Sequence, residues 1–323
     1  MKAVVCTQYG GPEVLAIQDL IKPEINKQQV LVRVKASSIT RAESMMRQGQ
    51  PKFARLFLGF NKPKAQVTGT GFAGIVEAVG ADVDKFAIGD EVFGETTLGF
   101  GTNAEFVCVN QDGLIMPKPQ SIEFSEAATL GDGALTAIYF LNYVIEPAHV
   151  KTILINGASG SIGTAAVQIA KRMNWQVTGV CSTANVELLK SLGADNVIDY
   201  TKDDFTTTNK QYDLVFDTIG TSSFGKCKSL LSVKGTYLSP VLSLSLLIQS
   251  ATSSCLGKKQ AKFCATGLQP VKKRMPLLKK LITWYESGQF HSVMDKTYLM
   301  KDVVEAHKHV DTGHKKGNIA LIH

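Results

Sequence analysis

The stretch ILINGASGSIGTAAVQIAKRMNWQVTGVCST, Ile153 to Thr183, reads in order as an apolar strand, a glycine turn, an amphipathic helix and a second strand. Gly157, Gly160 and Gly163 make a G-x-x-G-x-x-G turn, with Ala158, Ser159, Ser161 and Ile162 between them. Such a turn holds a dinucleotide. A glycine at 160 lets the backbone approach a pyrophosphate that a Cβ would push away, one at 163 allows close packing of helix on strand, and the helix N-terminus faces the anion. The helix that follows carries Ala166, Ile169 and Ala170, which gives the turn the strand-before, helix-after context the motif needs. The plainer alternative is a tight turn in a ligand-free α/β sheet, and it has to account for three glycines at once.

The end of the second strand bears on which dinucleotide. NAD-binding chains usually place an Asp or Glu about 20 residues past the glycines, where it accepts from the ribose 2′-hydroxyl and repels a 2′-phosphate. Here Val177 to Val180 run into Cys181, Ser182, Thr183, Ala184 and Asn185 with no acid, which favours NADPH. Ser182 and Thr183 can donate to a phosphate, and Lys202 or Lys190 is the candidate cation. The same two residues could instead form the N-cap of a helix over Val186 to Leu192, and the two roles can coexist.

A chain of 323 residues with 44% hydrophobic content exceeds one ordinary domain and can bury a sizeable core. The formal net charge of +7 comes from 35 basic residues interspersed with 28 acidic ones. Short basic clusters at Lys258 and Lys259, Lys272 to Arg274, and Lys315 and Lys316 fit solvated faces or an anionic cofactor. No nucleic-acid partner is expected, because no interleaving of aromatic and basic residues suited to base stacking is visible. The six cysteines have no C-x-x-C spacing, so reduced thiols and a cytoplasmic location are expected, with neither a disulfide framework nor a zinc knuckle. The chain begins in the strand-like Lys2 to Thr7 without a signal-peptide pattern. Its longest apolar tract, Val241 to Leu256, is too short and too polar for a membrane span and is expected to be a buried or substrate-facing helix.

Along the chain an all-β beginning, with Val30 to Val34, Gly74 to Val79, Glu91 to Phe93 and Ala104 to Val109, gives way to alternation from Ser125 onward. Helices are predicted over 125–145, 162–174, 185–192, 223–230 and 271–287. Strands are predicted over 151–156, 176–181, 196–198, 213–217, 234–239 and 317–322. Alternation of this kind gives an α/β, doubly wound parallel sheet with its ligand crevice beyond the strand C-termini. Asp217, Thr218, Ile219 and Gly220 end one strand and Ser239 with Pro240 ends the next, so both loops are expected to border a nicotinamide.

Five segments carry a family resemblance that spans essentially the whole chain. MKAVVCTQYGGPEVL at the start, GFAGIVEAVGADVDKFAIGDEVFG at 71–94, NGASGSIGTAAVQIAK at 156–171, SLGADNVIDY at 191–200 and the tail GHKKGNIALI resemble the medium-chain dehydrogenase/reductase superfamily. Within it the chain is most similar to the zinc-free quinone oxidoreductase branch, including reticulon-interacting-protein-like and bacterial quinone reductase-like members. The resemblance implies a GroES-like β-barrel catalytic lobe over 1–122, a Rossmann NADPH-binding domain over 123–265 and a segment 266–323 returning to the first lobe. It also implies NADPH, a homodimer joined through Rossmann-lobe edges, a Tyr200 lying against the adenine or its 2′-phosphate, and an Asn318 touching the nicotinamide end.

Zinc-dependent alcohol dehydrogenases of the superfamily need a Cys, a His and a third ligand where this chain has Thr40, Thr70 and Asp132. One carboxylate cannot hold zinc, and near 90–115 only Cys108 stands where four structural cysteines would be. A metal-free enzyme is therefore expected, with acceptors that take hydride easily: quinones and α,β-unsaturated or similarly activated carbonyls. Thr40 is the candidate to donate to a substrate oxygen, unless it merely closes a turn. Asp132, among Ala127, Ala128, Leu130, Ala134 and Leu135, is the candidate acid with a pKa raised by burial, unless it caps a helix before Leu135. Met45, Phe53, Phe57 and Phe60 could wall a substrate or belong to the core, and Met46 to Lys64 has the make-up of a partly apolar lid. His149, His291, His307, His309, His314 and His323 are expected at the surface. Two other functions share these features: a non-catalytic, redox-sensing NADPH-binding module, and a zinc-free alcohol or aldehyde oxidoreductase.

Overall fold

Turn-punctuated runs of β-branched residues in the N-terminal third fold as β1 (Lys2–Cys6), β2 (Leu15–Asp19), β3 (Gln29–Ile39), β4 (Gly71–Val79), β5 (Glu91–Glu95), β6 (Phe106–Asn110) and β7 (Leu114–Pro117). The alternating middle supplies β8 (Thr152–Asn156), β9 (Gln176–Cys181), β10 (Asn196–Asp199), β11 (Tyr212–Asp217), β12 (Leu231–Ser239) and β13 (Gln260–Phe263). The tail adds β14 (Met294–Leu299) and β15 (Asn318–Ile322). The computed structural model describes residues 1–96, 100–256 and 258–323, and of 254–256 only the backbone. Two compact units result: Met1–Asp132 with Gly267–His323, and Gly133–Thr266.

The first unit is built on a seven-stranded sheet of order β14-β15-β3-β4-β5-β7, with β6 also pairing with β3. Alternation along β3 turns Val30, Val32 and Val34 inward, where they meet Phe72, Val76, Val92, Val107, Val109 and Ile115. The tail joins this unit because β15 runs antiparallel to β3 and buries Ile319 and Leu321 against Val4, Leu15 and Ile39. A helix at Val303–Asp311 completes that cluster through Val303, Ala306 and Val310.

The second unit holds a six-stranded sheet of order β10-β9-β8-β11-β12-β13, every pairing in it parallel. Counted from β8 the order is 3-2-1-4-5-6, the doubly wound arrangement expected from the sequence. Ile153, Leu154 and Ile155 are all fully buried, as a central parallel strand covered on both faces requires. The order reverses between β8 and β11, whose ends lie in register at Asn156 and Asp217.

The helix expected over 125–145 is present as a helical run from Phe124 to Val144, in which α turns alternate with π turns at Leu130–Ala134 and Phe140–Val144. Two other expectations need correction. The tract Val241 to Leu256 does form a helix, Leu244–Leu256, but it is not buried. Among its described side chains only Leu246 and Ser253 are buried, while Leu244 and Ile248 are 62% and 55% exposed. His307 is not at the surface: it is fully buried, because Val303, Ala306, His307 and Val310 form the inward stripe of their helix. Among the described residues no helix is long and apolar enough to cross a membrane.

Candidate functional site

In the second unit the glycine turn sits at the strand-order switch, directly after β8. Gly157 has φ +74°, in the left-handed region where side chains are strained. A Cβ on Gly163 would lie 2.2 Å from the Gly157 carbonyl oxygen and 2.6 Å from Ala158, so the helix Ser161–Arg172 can approach the turn only because residue 163 has no side chain. Gly160 differs. A Cβ there would meet only the Gly157 oxygen, at 3.5 Å, so the protein itself leaves space beside residue 160, at the N-cap of the helix Ser161–Arg172.

Asp217, fully buried at the end of β11, organises the loop beside this turn. Its Oδ1 accepts from Asn156 Nδ2 at 3.0 Å and from the Gly220 N–H at 2.9 Å, and its Oδ2 from the Ser222 N–H at 2.9 Å and the Tyr237 hydroxyl at 2.8 Å. Burial and the Asp217 charge push the Tyr237 phenol upward, which keeps it a donor. Thr218 donates to the Asn156 oxygen at 2.8 Å, tying the loop of Thr218, Ile219 and Gly220 to the glycine turn. Ser159 accepts from Asn185 Nδ2 at 3.2 Å, and buried Ser239 accepts from the Val241 N–H at 3.2 Å. The structure thus gathers Gly157, Ala158, Ser159, Gly160, Ser161, Ile162, Gly163, Thr218, Ile219, Gly220 and Ser239 at the C-terminal ends of β8, β11 and β12. Asp217 is legible in the sequence as a strand end; Asn156 and Tyr237, which brace it, carry no motif signal.

At the end of β9 the Ser182 side chain makes no cap hydrogen bond to the turn that follows, so a capping role there is not realised. Thr183 donates instead to Asp199 at 2.5 Å, and Tyr200 is 49% exposed beside it. Lys190 is held by Glu187 at 2.8 Å and Lys202 stands 3.6 Å from Asp199.

In the first unit Thr40 caps the helix Arg41–Gln48, its hydroxyl oxygen accepting from the Glu43 N–H at 3.2 Å. That bond uses a lone pair and leaves the hydroxyl proton available to donate. Asp132 caps nothing: its Oδ2 accepts from Ser38 at 2.5 Å and from Thr70 at 3.4 Å. Burial raises the Asp132 pKa, and the two hydroxyls and Lys315 pull it part of the way back. Burial and the charge of Asp132 likewise raise Glu43 well above the usual carboxylate range. Burial lowers the Lys315 ammonium to about 8. Asn318 donates to Ser292 Oγ and to the Val293 oxygen, both at 3.2 Å. Of the possible aromatic wall, Phe57 and Phe60 are 78% and 74% exposed, Phe53 reaches the surface and Met45 is half-buried, so none is ordinary core. Among the described residues no group of three or more His, Cys, Asp and Glu side chains could hold a metal ion.

Glu95, 3.0 Å from Arg274, is pushed up to about 8 by burial and the charge of Asp132, against the pull of the guanidinium. A folded-state pKa above the unfolded one means that stability is lost as pH rises from the unfolded value toward the folded one. Below pH 6.5 the buried His307, lowered to about 4, opposes this trend, so the decline emerges between about pH 6.5 and 8. We expect Glu95 to contribute a fall of about 2 kcal/mol to chemical-denaturation stability over that interval, and Glu95→Gln to make the decline shallower by that amount. A wild-type profile that rises across the interval would contradict the assignment.

Two family models match the chain, "Alcohol dehydrogenase GroES-like domain" over residues 26–120 and "Zinc-binding dehydrogenase" over residues 192–321. The chain is 31% identical over 333 residues to the chloroplastic NADPH-dependent alkenal/one oxidoreductase of Arabidopsis thaliana, covering 99% of this chain and 79% of that protein. It is 31% identical over 361 residues to the mitochondrial NAD(P)H oxidoreductase RTN4IP1 of Bos taurus, covering 99% and 89%. Among solved structures, the quinone oxidoreductase from Coxiella burnetii superposes with a TM-score of 0.89 at 28% identity, covering 100% of this chain and 99% of that one.

Proposed function

The chain belongs to the medium-chain dehydrogenase/reductase superfamily, among its quinone and alkenal/one oxidoreductases, and from that premise we propose that it is an NADPH-dependent reductase of quinones and α,β-unsaturated or similarly activated carbonyls. The observation that carries this is the glycine turn at the strand-order switch, with open space above Gly160 and a loop braced by Asp217 beside it. When bound, the coenzyme supplies a hydride, which leaves an enolate or hydroquinone anion to be protonated. The residues of the first unit suit the remaining steps: the Thr40 hydroxyl orients an acceptor oxygen, and Asp132 with Ser38 and Thr70 manages the proton.

Zinc independence is part of the proposal. Thr40 and Thr70 are poor zinc ligands, and Asp132, the third residue at those positions, is engaged by two hydroxyls. A homodimer joined along β13 is also proposed, since β13 is the last strand of its sheet. The thiols of Cys6, Cys108, Cys181 and Cys227, which form no disulfide, favour the cytoplasm. Cys255 lies outside the described side chains. The test is steady oxidation of NADPH with 9,10-phenanthrenequinone and a small enone, before and after treatment with a chelator. Turnover in both conditions is expected. Coenzyme binding without turnover across a broad acceptor panel would instead favour a binding module, and one stoichiometric zinc per chain would remove zinc independence.

A further inference from the structure

We propose that the segment 51–66 of the first unit is a docking surface for an anionic lipid bilayer, on which the protein lies without spanning it. Its short helical turns, Lys52–Ala54 and Arg55–Leu58, are the reverse of a water-facing surface helix. Phe53, Leu56, Phe57 and Phe60 have the spacing i, i+3, i+4 and i+7, yet they face outward: the last three are 69%, 78% and 74% exposed. The charged Arg55 is turned inward instead. Its guanidinium carbon lies 4.3 Å from the centre of the Tyr9 ring, and the group donates to the Gly49 and Gln48 oxygens, both at 3.1 Å. The Tyr9 hydroxyl donates to the Gly59 oxygen at 2.5 Å, and the Lys64 N–H to the Leu58 oxygen at 2.8 Å. The segment is thus fastened with its apolar side out.

The charges around this stripe identify the partner. No Asp or Glu occurs between positions 44 and 76, while Lys52, Lys62 and Lys64 are exposed and, among the described residues, paired with no carboxylate. Exposed aromatic rings rimmed by unneutralised lysines match a bilayer surface, whose acyl boundary takes the rings while its anionic headgroups take the ammonium groups. A second copy of the chain fits badly. A two-fold contact through the patch would bring the same cations together, and the homodimer proposed above uses β13, which belongs to the second unit. The anionic leaflet of a cell membrane faces the cytoplasm, the compartment that the thiols favour.

Co-sedimentation of the full-length protein with vesicles tests this without turnover, so the outcome is independent of the reductase reading. The protein should pellet with vesicles containing about one-third phosphatidylserine, and bind at least about tenfold less tightly to phosphatidylcholine alone or in strong salt. Phe57→Ser with Phe60→Ser should weaken binding about tenfold or more by removing the inserted rings, and Lys62→Gln with Lys64→Gln by a similar factor by removing headgroup attraction. All four positions are exposed, so both double variants should keep the wild-type circular dichroism. Should the phenylalanine variant unfold, the lysine variant decides alone. The proposal fails if neither vesicle pellets the protein, if lipid charge makes no difference, or if either folded double variant binds as the wild type does. Loss of self-association in the phenylalanine variant with vesicle binding intact would make the patch a contact between copies. A raised KM for a soluble enone with vesicle binding intact would make it a substrate wall, and either result overturns the docking.

Discussion

Gly160→Val is expected to melt within about 2 °C of wild type and to weaken NADP⁺ binding about 100-fold or more, whereas Gly163→Val is expected to melt at least about 10 °C lower. The two positions belong to one motif but have different physical reasons for being glycine. At 163 the added carbon would press on the Gly157 oxygen at 2.2 Å and on Ala158 at 2.6 Å, both backbone, and backbone cannot rotate out of the way. Overpacking of that kind costs about 3 kcal/mol or more against a total stability of about 5–15 kcal/mol. At 160 the backbone is extended, with φ −79° and ψ −179°, which any residue adopts, and the nearest heavy atom to an added Cβ is 3.5 Å away. Only a ligand needs that space. The checks are a thermal melt and a coenzyme titration of each variant. If Gly160→Val binds NADP⁺ as tightly as wild type, the turn is structural and the coenzyme site is elsewhere.

How far the sequence discloses this depends on distance along the chain. The path from β8 through the glycine turn to β9 is legible because short continuous apolar runs and a helical pattern alternate within a few dozen residues and the glycines punctuate them. The edge strands are not. β13 reads QAKF and β14 reads MDKTYL, short and charge-bearing, as edges tend to be, and neither offers an apolar run to detect. His307 looks solvated beside Lys308 and Glu305, yet its spacing of four from Val303 and three from Val310 is the signal that would have placed it inside. Asp199 is sixteen residues beyond Thr183, and only the parallel register of two strands brings its carboxylate to that hydroxyl. The cluster around Asp132 is more scattered still. Ser38 with Glu43, then Thr70, Glu95 and Lys315, come from four separate parts of the chain, and the first unit assembles them.

That cluster supports the other large effect, on Asp132→Asn. The amide oxygen of an Asn can still accept from Ser38 and Thr70, so the fold should be retained while the titratable proton is lost. A positioned acid contributes about 10²–10⁴-fold to a proton-transfer step, so kcat should fall about 100-fold with KM changed little. The pH profile separates this role from a packing role. Burial raises the Asp132 pKa, so wild-type activity should decline on the alkaline side as the carboxyl ionises, and in the Asn variant that limb should disappear. Ser38→Ala works in the opposite sense: removing a donor that lowers the pKa should move the limb to higher pH while leaving Thr70 in place. A residue that served only packing would lower stability in both variants and leave the position of the limb alone. Unchanged rate and unchanged profile in Asp132→Asn would end the case for this carboxyl as the proton source, and the search would pass to Glu43, buried nearby with its pKa raised chiefly by desolvation.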